Sequence, residues 1–480
     1  MPEVCIQLSL TAEPQEPPIT TNPRALRRTD LADTIWPPIT LGAEAVLAAL
    51  VGQLEITQWF GTETIEEMQG RQLAILAAHH RAHTPAFAAR LKSAGLAGQR
   101  FDTVAALKRL TPISRRDAQG AGTAFFALKT PEAHGPINQI ETSGSTGEPV
   151  RVRKTHLQGL IWDAMMMRDV LWHGYDFGGR ITTIRPQVAS FYESDGWGRP
   201  IDALYVSGRA QGIPIGTDVR EQLRLMARFK PDVLSVQPTN LRAMADIWEA
   251  EGFNLGSVSR IRTVGETVNA DLRARVLQLT GVTIEDHYSA QETGSIAIQC
   301  PVSGLYHVAS ESVIVEILGD DGKACGEGET GRVVVTDLHN FATPVIRYEI
   351  GDYATVGGAC PCGRGLPTLH AILGRERNLV LLPDGRRHWP LLGHMGREFN
   401  MVAPARQYQV IQHSRTGVEL RVVTDKPLTA ADEAAMAGIL QATLAYAFDV
   451  TIVRIEGAIP VGPNGKFEDF LCRVTADGAP

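Results

Sequence analysis

The chain has 480 residues, 44% of them apolar, and 46 basic against 53 acidic side chains give a formal net charge of −7. That length suits two or more domains and a sizeable core. No basic stripe points to nucleic acid, no apolar run reaches the roughly 20 residues that span a bilayer, and the first residues lack the apolar core of a signal peptide. A soluble cytoplasmic protein with neither a nucleic-acid nor a membrane partner is expected. Six cysteines are too few for a disulfide framework.

Residues 1–40, rich in Pro, Thr and Glu, read as an extended arm. Apolar spacing of helical period predicts helices over 42–60 and 64–97, the second stopping near Gly95. A turn with a Ser N-cap follows in 110–119. From about 140, short apolar runs alternate with helical segments, as in 180–185, 217–238, 240–252 and 258–266. That alternation predicts an α/β domain with parallel strands. Residues 312–318 and 332–338 alternate apolar with polar across an acidic, Gly-rich turn and read as antiparallel strands. The last hundred residues carry their own pattern: a hairpin over 407–425, a helix over 429–448 and a strand over 450–457.

Chemistry concentrates in a few stretches. In 139-QIETSGSTGEPVRVRKTH-156, Ser143, Ser145 and Thr146 offer hydroxyls, while Gly144 and Gly147 permit close backbone approach. Such a turn can cradle phosphate oxygens, although it lacks the adjacent Lys of a P-loop. Tyr288 precedes Glu292 by four residues, a candidate base-stacking ring before a candidate Mg²⁺ ligand. Asp352 follows a Gly turn and can accept from two ribose hydroxyls. Lys466 follows an Asn-Gly turn near the C-terminus. Separately, Cys300, His307, Cys360 and Cys362 supply the four S/N donors of a closed tetrahedral Zn²⁺ site, with Cys325 an alternative to His307.

Taken in order, these motifs resemble the adenylate-forming superfamily of acyl-CoA synthetases, adenylation domains and luciferases. Within it the chain is most similar to the phenylacetate–CoA ligase family, over roughly residues 70–480. The resemblance is carried by Thr142–Gly147, by Gly265, Glu266 and Thr267, by Tyr288 to Glu292, by Arg347 to Asp352, by Gly374 and Arg375, and by Lys466. It also extends to Val150, where most of the superfamily has Lys.

It implies an α/β fold: a large N-terminal domain with mixed sheets and flanking helices, plus a small mobile α+β C-terminal domain. The divisions would be an arm and helix over 1–60, the adenylate-forming domain over 61–374 and the mobile domain over 375–480. It further implies that Thr142, Ser143, Gly144, Ser145, Thr146, Gly147, Gly265, Glu266, Thr267, Asp286, His287, Tyr288, Asp352 and Arg375 bind ATP, with Glu292 on Mg²⁺ and Lys466 catalytic. The acid would lie against Tyr192, Trp197, Val236, Gln237, Ser289 and Ala290, an aromatic and small-residue lining suited to a flat aryl or arylacetic acid. Some members of the family carry a structural zinc at cysteines like those here.

The implied reaction is attack of a carboxylate on the α-phosphate of ATP, then of a thiol on the acyl-adenylate. The implied small-molecule partners are a carboxylic acid, ATP and coenzyme A, and a homodimer is among the assemblies left open. The chain departs from the family at Arg377, where an acid is usual, at Ser289–Gln291 before Glu292, and over 381–390, beside the expected CoA site. Those departures leave an amine or a carrier-protein thiol as alternative acceptors. Retention of Glu292, Asp352 and Lys466 argues against an inactive binding protein.

Overall fold

The computed structural model describes residues 27–141, 150–252, 256–375, 378–388, 390, 392, 395–424, 426–457, 459–460 and 468–474. Helices α1 (Gly42–Thr57), α2 (Thr62–His83) and α3 (Pro85–Ser93) lead into the short helices α4 (Val104–Leu107) and α5 (Arg115–Gly120). The antiparallel pair β1 (Ile137–Glu141) and β2 (Arg151–Thr155) precedes α6 (His156–Trp172). Next come β3 (Ile181–Arg185), β4 (Tyr192–Ser194), α7 (Ile201–Leu204), β5 (Ala210–Pro214), α8 (Val219–Phe229), β6 (Val233–Val236), α9 (Pro238–Glu251), β7 (Arg260–Val264), α10 (Ala270–Thr280) and β8 (Ile284–Ala290). Strands β9 (Gly294–Gln299), β10 (Tyr306–Val308), β11 (Val313–Leu318), β12 (Thr330–Asp337), β13 (Tyr348–Val356) and β14 (Thr368–Arg375) follow without a helix. The C-terminal part contains β15 (Val380–Leu381), β16 (Arg387–His388), α11 (Met395–Val402), β17 (Ala405–Gln412), β18 (Gly417–Thr424), α12 (Ala430–Thr443), β19 (Asp449–Arg454) and β20 (Phe470–Cys472).

Twelve strands form one sheet in the order β11-β12-β13-β14-β10-β9-β8-β7-β6-β3-β5-β4. The parallel strands and the antiparallel ones, which read as separate regions in the sequence, are thus joined through the antiparallel contact of β8 with β9. The parallel set is β5-β3-β6-β7-β8. The chain runs from β3 to one side, through β4 and β5, and then returns to the other side at β6. This reversal makes the C-terminal ends of β3 and β6 a topological switch point, the usual ligand crevice of such sheets.

Local chemistry sets the helix ends. Asp218 caps α8, its carboxylate accepting from the backbone N–H of Arg220 and Glu221 at 3.0 and 3.2 Å. Ser114 with Asp117, and Thr429 with Asp432, form reciprocal capping boxes on α5 and α12. The single helix expected over 64–97 is two. Pro85 lacks an N–H and disfavours a helical residue before it, so Thr84 turns extended at φ −120°, ψ 106°.

One face of the parallel set is apolar. Ile184, Ile213, Leu234, Val236, Ile261 and Ile284 pack with Leu223, Met226, Leu241, Met244, Leu272 and Val276 of α8, α9 and α10. The period-2 alternation of a strand sends Thr183, Arg185, Ser235 and Arg262 to the opposite face, toward α6. Leu47, Val51 and Leu54 of α1 lie in the same core cluster as Ala164, Met165 and Met167 of α6. The C-terminal sheet, β19-β18-β17-β20, has its own core around Val410, Leu420, Met436, Leu440 and Phe470. No helix among the described residues is long and apolar enough to cross a membrane.

His80 ties α2 to the region after β12. One ring nitrogen lies 2.8 Å from the Thr84 hydroxyl and the other 2.8 Å from the Asn340 carbonyl. Burial pushes its pKa down to about 3, against the hydrogen bond to Asn340. In the unfolded chain the ring takes up a proton near pH 6.5, so from there toward pH 3 only the unfolded state binds it. Its contribution is therefore complete above pH 6.5 and is lost as the pH falls. Urea midpoints at pH 7 and pH 5 should show the wild type losing about 2 kcal/mol more than His80→Gln.

Candidate functional site

A cleft of about 1600 Å³ opens at the C-terminal ends of β3, β6, β7 and β8. Gly265 leaves β7 at φ +83°, a conformation that favours glycine, and starts the segment Gly265–Thr267 along the cleft wall. The Glu266 carboxylate accepts from the Thr239 backbone N–H at 2.9 Å and from its hydroxyl. A methyl group on Gly374 would lie 3.1 Å from the Thr267 hydroxyl, so the end of β14 packs against this segment.

Tyr288 and Asp352, 64 residues apart in sequence, meet here: the phenol donates to the Asp352 carboxylate at 2.8 Å. Asp352 stands opposite Arg375 in the β13–β14 ladder. Ser289, Ala290 and Glu292 continue along the cleft from Tyr288. Arg347, next to this region in sequence, is bound elsewhere. Its guanidinium makes two 2.8 Å bonds to Glu316 and also donates to the carbonyls of Lys108 and Leu110.

Glu292 is buried, with Arg115 Nη1 3.4 Å from one of its oxygens. Behind it, the Lys154 ammonium lies 4.5 Å from the Trp162 ring centre. Burial pushes this lysine down to about 8, against the attraction of Asp337 and Glu292. Burial pushes Asp337 up to about 6. The Glu292 carboxylate suits Mg²⁺ that arrives already bound to substrate phosphates.

On the face toward α6, Asp169 gathers three cations or donors: Arg262 at 2.5 Å, His287 at 3.0 Å and His173 at 3.2 Å. Burial favours its neutral form, but Arg262 and the two histidines outweigh this and hold Asp169 well below the usual carboxylate range. His287 uses its other ring nitrogen on the Ser295 hydroxyl at 2.8 Å. Both Asp286 oxygens are likewise engaged, with Thr263 at 3.0 Å and Tyr306 at 2.8 Å. Asp286 and His287 both border the cleft, with their polar side-chain atoms already held by the protein.

Of the residues expected to contact the acid, Tyr192, Gln237, Ser289 and Ala290 line the cleft. Two are corrected. Val236, fully buried, points to the opposite face and packs in the apolar layer with α8–α10. Trp197 donates its indole N–H to the Gly179 carbonyl at 3.0 Å and packs edge-on against Phe177 and Tyr175. Thr142–Gly147 and Lys466 lie outside the described residues. The sequence reading overlooked Arg185, Arg262, Asp169, Arg115 and Lys154. Their signal was charge within otherwise buried segments, such as 258-VSRIRTVGE-266.

The second constellation is assembled by the sheet. Strand β10, bearing His307, pairs with both β9, which ends before Cys300, and β14, which follows the loop with Cys360 and Cys362. The four donor atoms lie within 4.8 Å of one another. Cys360 and Cys300 sulfurs are 3.7 Å apart, and Cys362 Sγ is 3.2 Å from His307 Nε2. Tetrahedral Zn²⁺–thiolate bonds of about 2.3 Å imply edges of about 3.7 Å, so the donor set fits that ion. His307 Nδ1 lies 3.2 Å from the Leu366 carbonyl, which orients Nε2 toward the cluster. Cys325 lies instead in the β11–β12 region, near Gly319 and Gly331.

A switch-point cleft bordered by a small second domain, through Glu468, Asp469 and Phe470, is the architecture of the adenylate-forming enzymes. The chain belongs to the AMP-binding enzyme family, whose profile matches residues 74–342. A phenylacetate-coenzyme A ligase of Thermus thermophilus is 23% identical over 334 residues, which span 67% of this chain and 72% of that one. Another from Pseudomonas putida is 24% identical over 255 residues, 50% of this chain and 55% of that protein. In fold, the chain is similar to a 2-hydroxyisobutyryl-CoA ligase solved in a post-adenylation state. The TM-score is 0.68 at 16% identity, covering 86% of this chain and 90% of that one.

Proposed function

We propose that this protein is an ATP-dependent ligase that activates an aryl or arylacetic acid as its acyl-adenylate and transfers the acyl group to coenzyme A. The observation that carries this reading is the Tyr288–Asp352 pair at the mouth of a cleft shared with Gly265–Thr267. Asp352 offers carboxylate oxygens to ribose hydroxyls, Tyr288 holds that carboxylate in place, and the Gly265–Thr267 backbone borders the adenine. Phosphates fall to Thr142–Gly147. Phosphoryl transfer of this kind relies on positioning and charge neutralisation.

In the first step a carboxylate oxygen bonds to the α-phosphorus and pyrophosphate leaves. Lys466 stabilises the charge that builds on those oxygens. Glu292 would hold Mg²⁺, which supplies further charge neutralisation at the phosphates. In the second step the CoA thiol gives up its proton, its sulfur bonds to the acyl carbon, and AMP leaves. Relatives named as phenylacetate-coenzyme A ligases support CoA as the acceptor. Cys300, His307, Cys360 and Cys362 would hold a structural Zn²⁺. With all four positions filled by protein, the ion braces β9, β10 and the loop before β14 and takes no part in the chemistry.

Asp352→Ala tests the nucleotide assignment. It removes the ribose acceptor and leaves the Tyr288 hydroxyl without this partner. The KM for ATP in acid-dependent pyrophosphate release should rise about 10- to 100-fold. An unchanged KM for ATP would remove Asp352 from the nucleotide site.

A further inference from the structure

The wall of the cleft across the sheet from Tyr288 carries a cation with no counter-charge among the described residues. Arg185 is the last residue of β3, and its Nη2 donates to the Ser235 hydroxyl at 2.5 Å. Its Nε is buried with no hydrogen-bond partner among the described residues, and no described carboxylate pairs with it. The neighbouring cation on this face is treated differently: Arg262 is held by Asp169. Burial, with repulsion from Arg262, pushes Arg185 down to about 10. A largely buried guanidinium with one neutral partner among the described residues, its Nε unpaired, is stabilised when an anion joins it.

Position decides what that anion is. Arg185 lies three strand spacings from β8, through β6 and β7, or about 14 Å across the sheet from the Tyr288 strand. That is too far for the guanidinium to serve the ribose side of the cleft, and it suits the distal end of a bound acid. The same corner is lined by Tyr192, Thr183 and Met166. The Tyr192 ring lies against Gly212, where a methyl group would come within 2.0 Å of it. Glycine at that position therefore lets an aromatic ring lie flat on the sheet near Arg185.

We propose that the acid carries a second carboxylate at its far end, received by Arg185 and the Ser235 hydroxyl. The substrate class is thus an aryl dicarboxylic acid, with the ring beside Tyr192 and the reacting carboxylate toward the nucleotide. This rests on the adenylating function proposed above. A bidentate guanidinium–carboxylate pair gives both affinity and orientation.

The test uses the 2-, 3- and 4-carboxyphenylacetic acids and the matching ring amides, compared in pyrophosphate release. At least one diacid should exceed its amide by about 100-fold in kcat/KM. Arg185→Met should bring that ratio to within a few-fold of one, and Arg185→Lys should retain part of it. Ratios cancel any general loss of activity. Equal use of diacids and amides by the wild type, or an unchanged ratio in Arg185→Met, would overturn the proposal and leave adenylation standing. If no acid releases pyrophosphate, calorimetric binding of the same pairs with AMP present separates the two readings. An Arg185-dependent preference for a diacid supports the second-carboxylate site without the ligase activity. Equal binding, or binding of neither, overturns it.

Discussion

Lys466→Ala should lower acid-dependent pyrophosphate release by at least about 100-fold, the scale on which removing one preorganised charge-stabilising group is felt. The same variant should discharge a supplied acyl-adenylate to CoA at close to the wild-type rate. The reason for the split is chemical. In the first step negative charge from the carboxylate and the α-phosphate meets at one centre, where a nearby ammonium stabilises the transition state more than the ground state. In the second step a thiolate attacks an acyl carbon already activated by AMP, and that need is gone. Lys466 lies two residues before Glu468, which borders the cleft. Resemblance to the family implies that the C-terminal domain rotates between the steps, so the lysine is required for one of them. Equal loss in both half-reactions would contradict this assignment.

Loss of the proposed zinc should be the second large effect. Protein from zinc-replete expression should contain close to one zinc per chain. Cys360→Ser should lower that content and destabilise the protein by at least about 3 kcal/mol, because metal binding at a closed site is folding free energy. The effect should exceed that of Cys325→Ser, since Cys325 lies outside the cluster. Because the four donors come from β9–β10 and the loop before β14, losing the ion should loosen the antiparallel half of the large sheet first. Hydrogen exchange along β10 and β14 reads this directly. A zinc-free protein of unchanged stability would remove the metal from the account.

How far the site could be read in advance depended on which physical signal each part leaves. The α/β alternation announced the parallel strands, because buried strands and amphipathic helices have different periods. The sequence did not announce that β9–β14 extend the same sheet, because pairing of β8 with β9 is a tertiary fact. Tyr288 and Asp352 stood out first by their local residue pattern and then by resemblance. Their 2.8 Å contact follows from strand order, which no local pattern encodes. Val236 and Gln237 show the limit most plainly. They are adjacent, yet one lies in the helix-covered apolar layer and the other on the cleft, and strand alternation leaves both assignments open until the covering layer is known. Trp197 drew attention as an aromatic near Tyr192, but its indole N–H is held by Gly179. Arg185 went unnoticed because an arginine at a strand end is ordinary in sequence. What sets it apart is the lack of a counter-charge among the described residues around it, a three-dimensional property.

The most direct test of the central claim is simultaneous measurement of pyrophosphate and AMP release from ATP, across aromatic carboxylic acids, with and without CoA. The account predicts that an accepted acid releases pyrophosphate without CoA, up to about one equivalent per site, and that CoA then drives continuous AMP formation. No acid-dependent pyrophosphate from any member of the panel, or AMP formation indifferent to CoA, would contradict it.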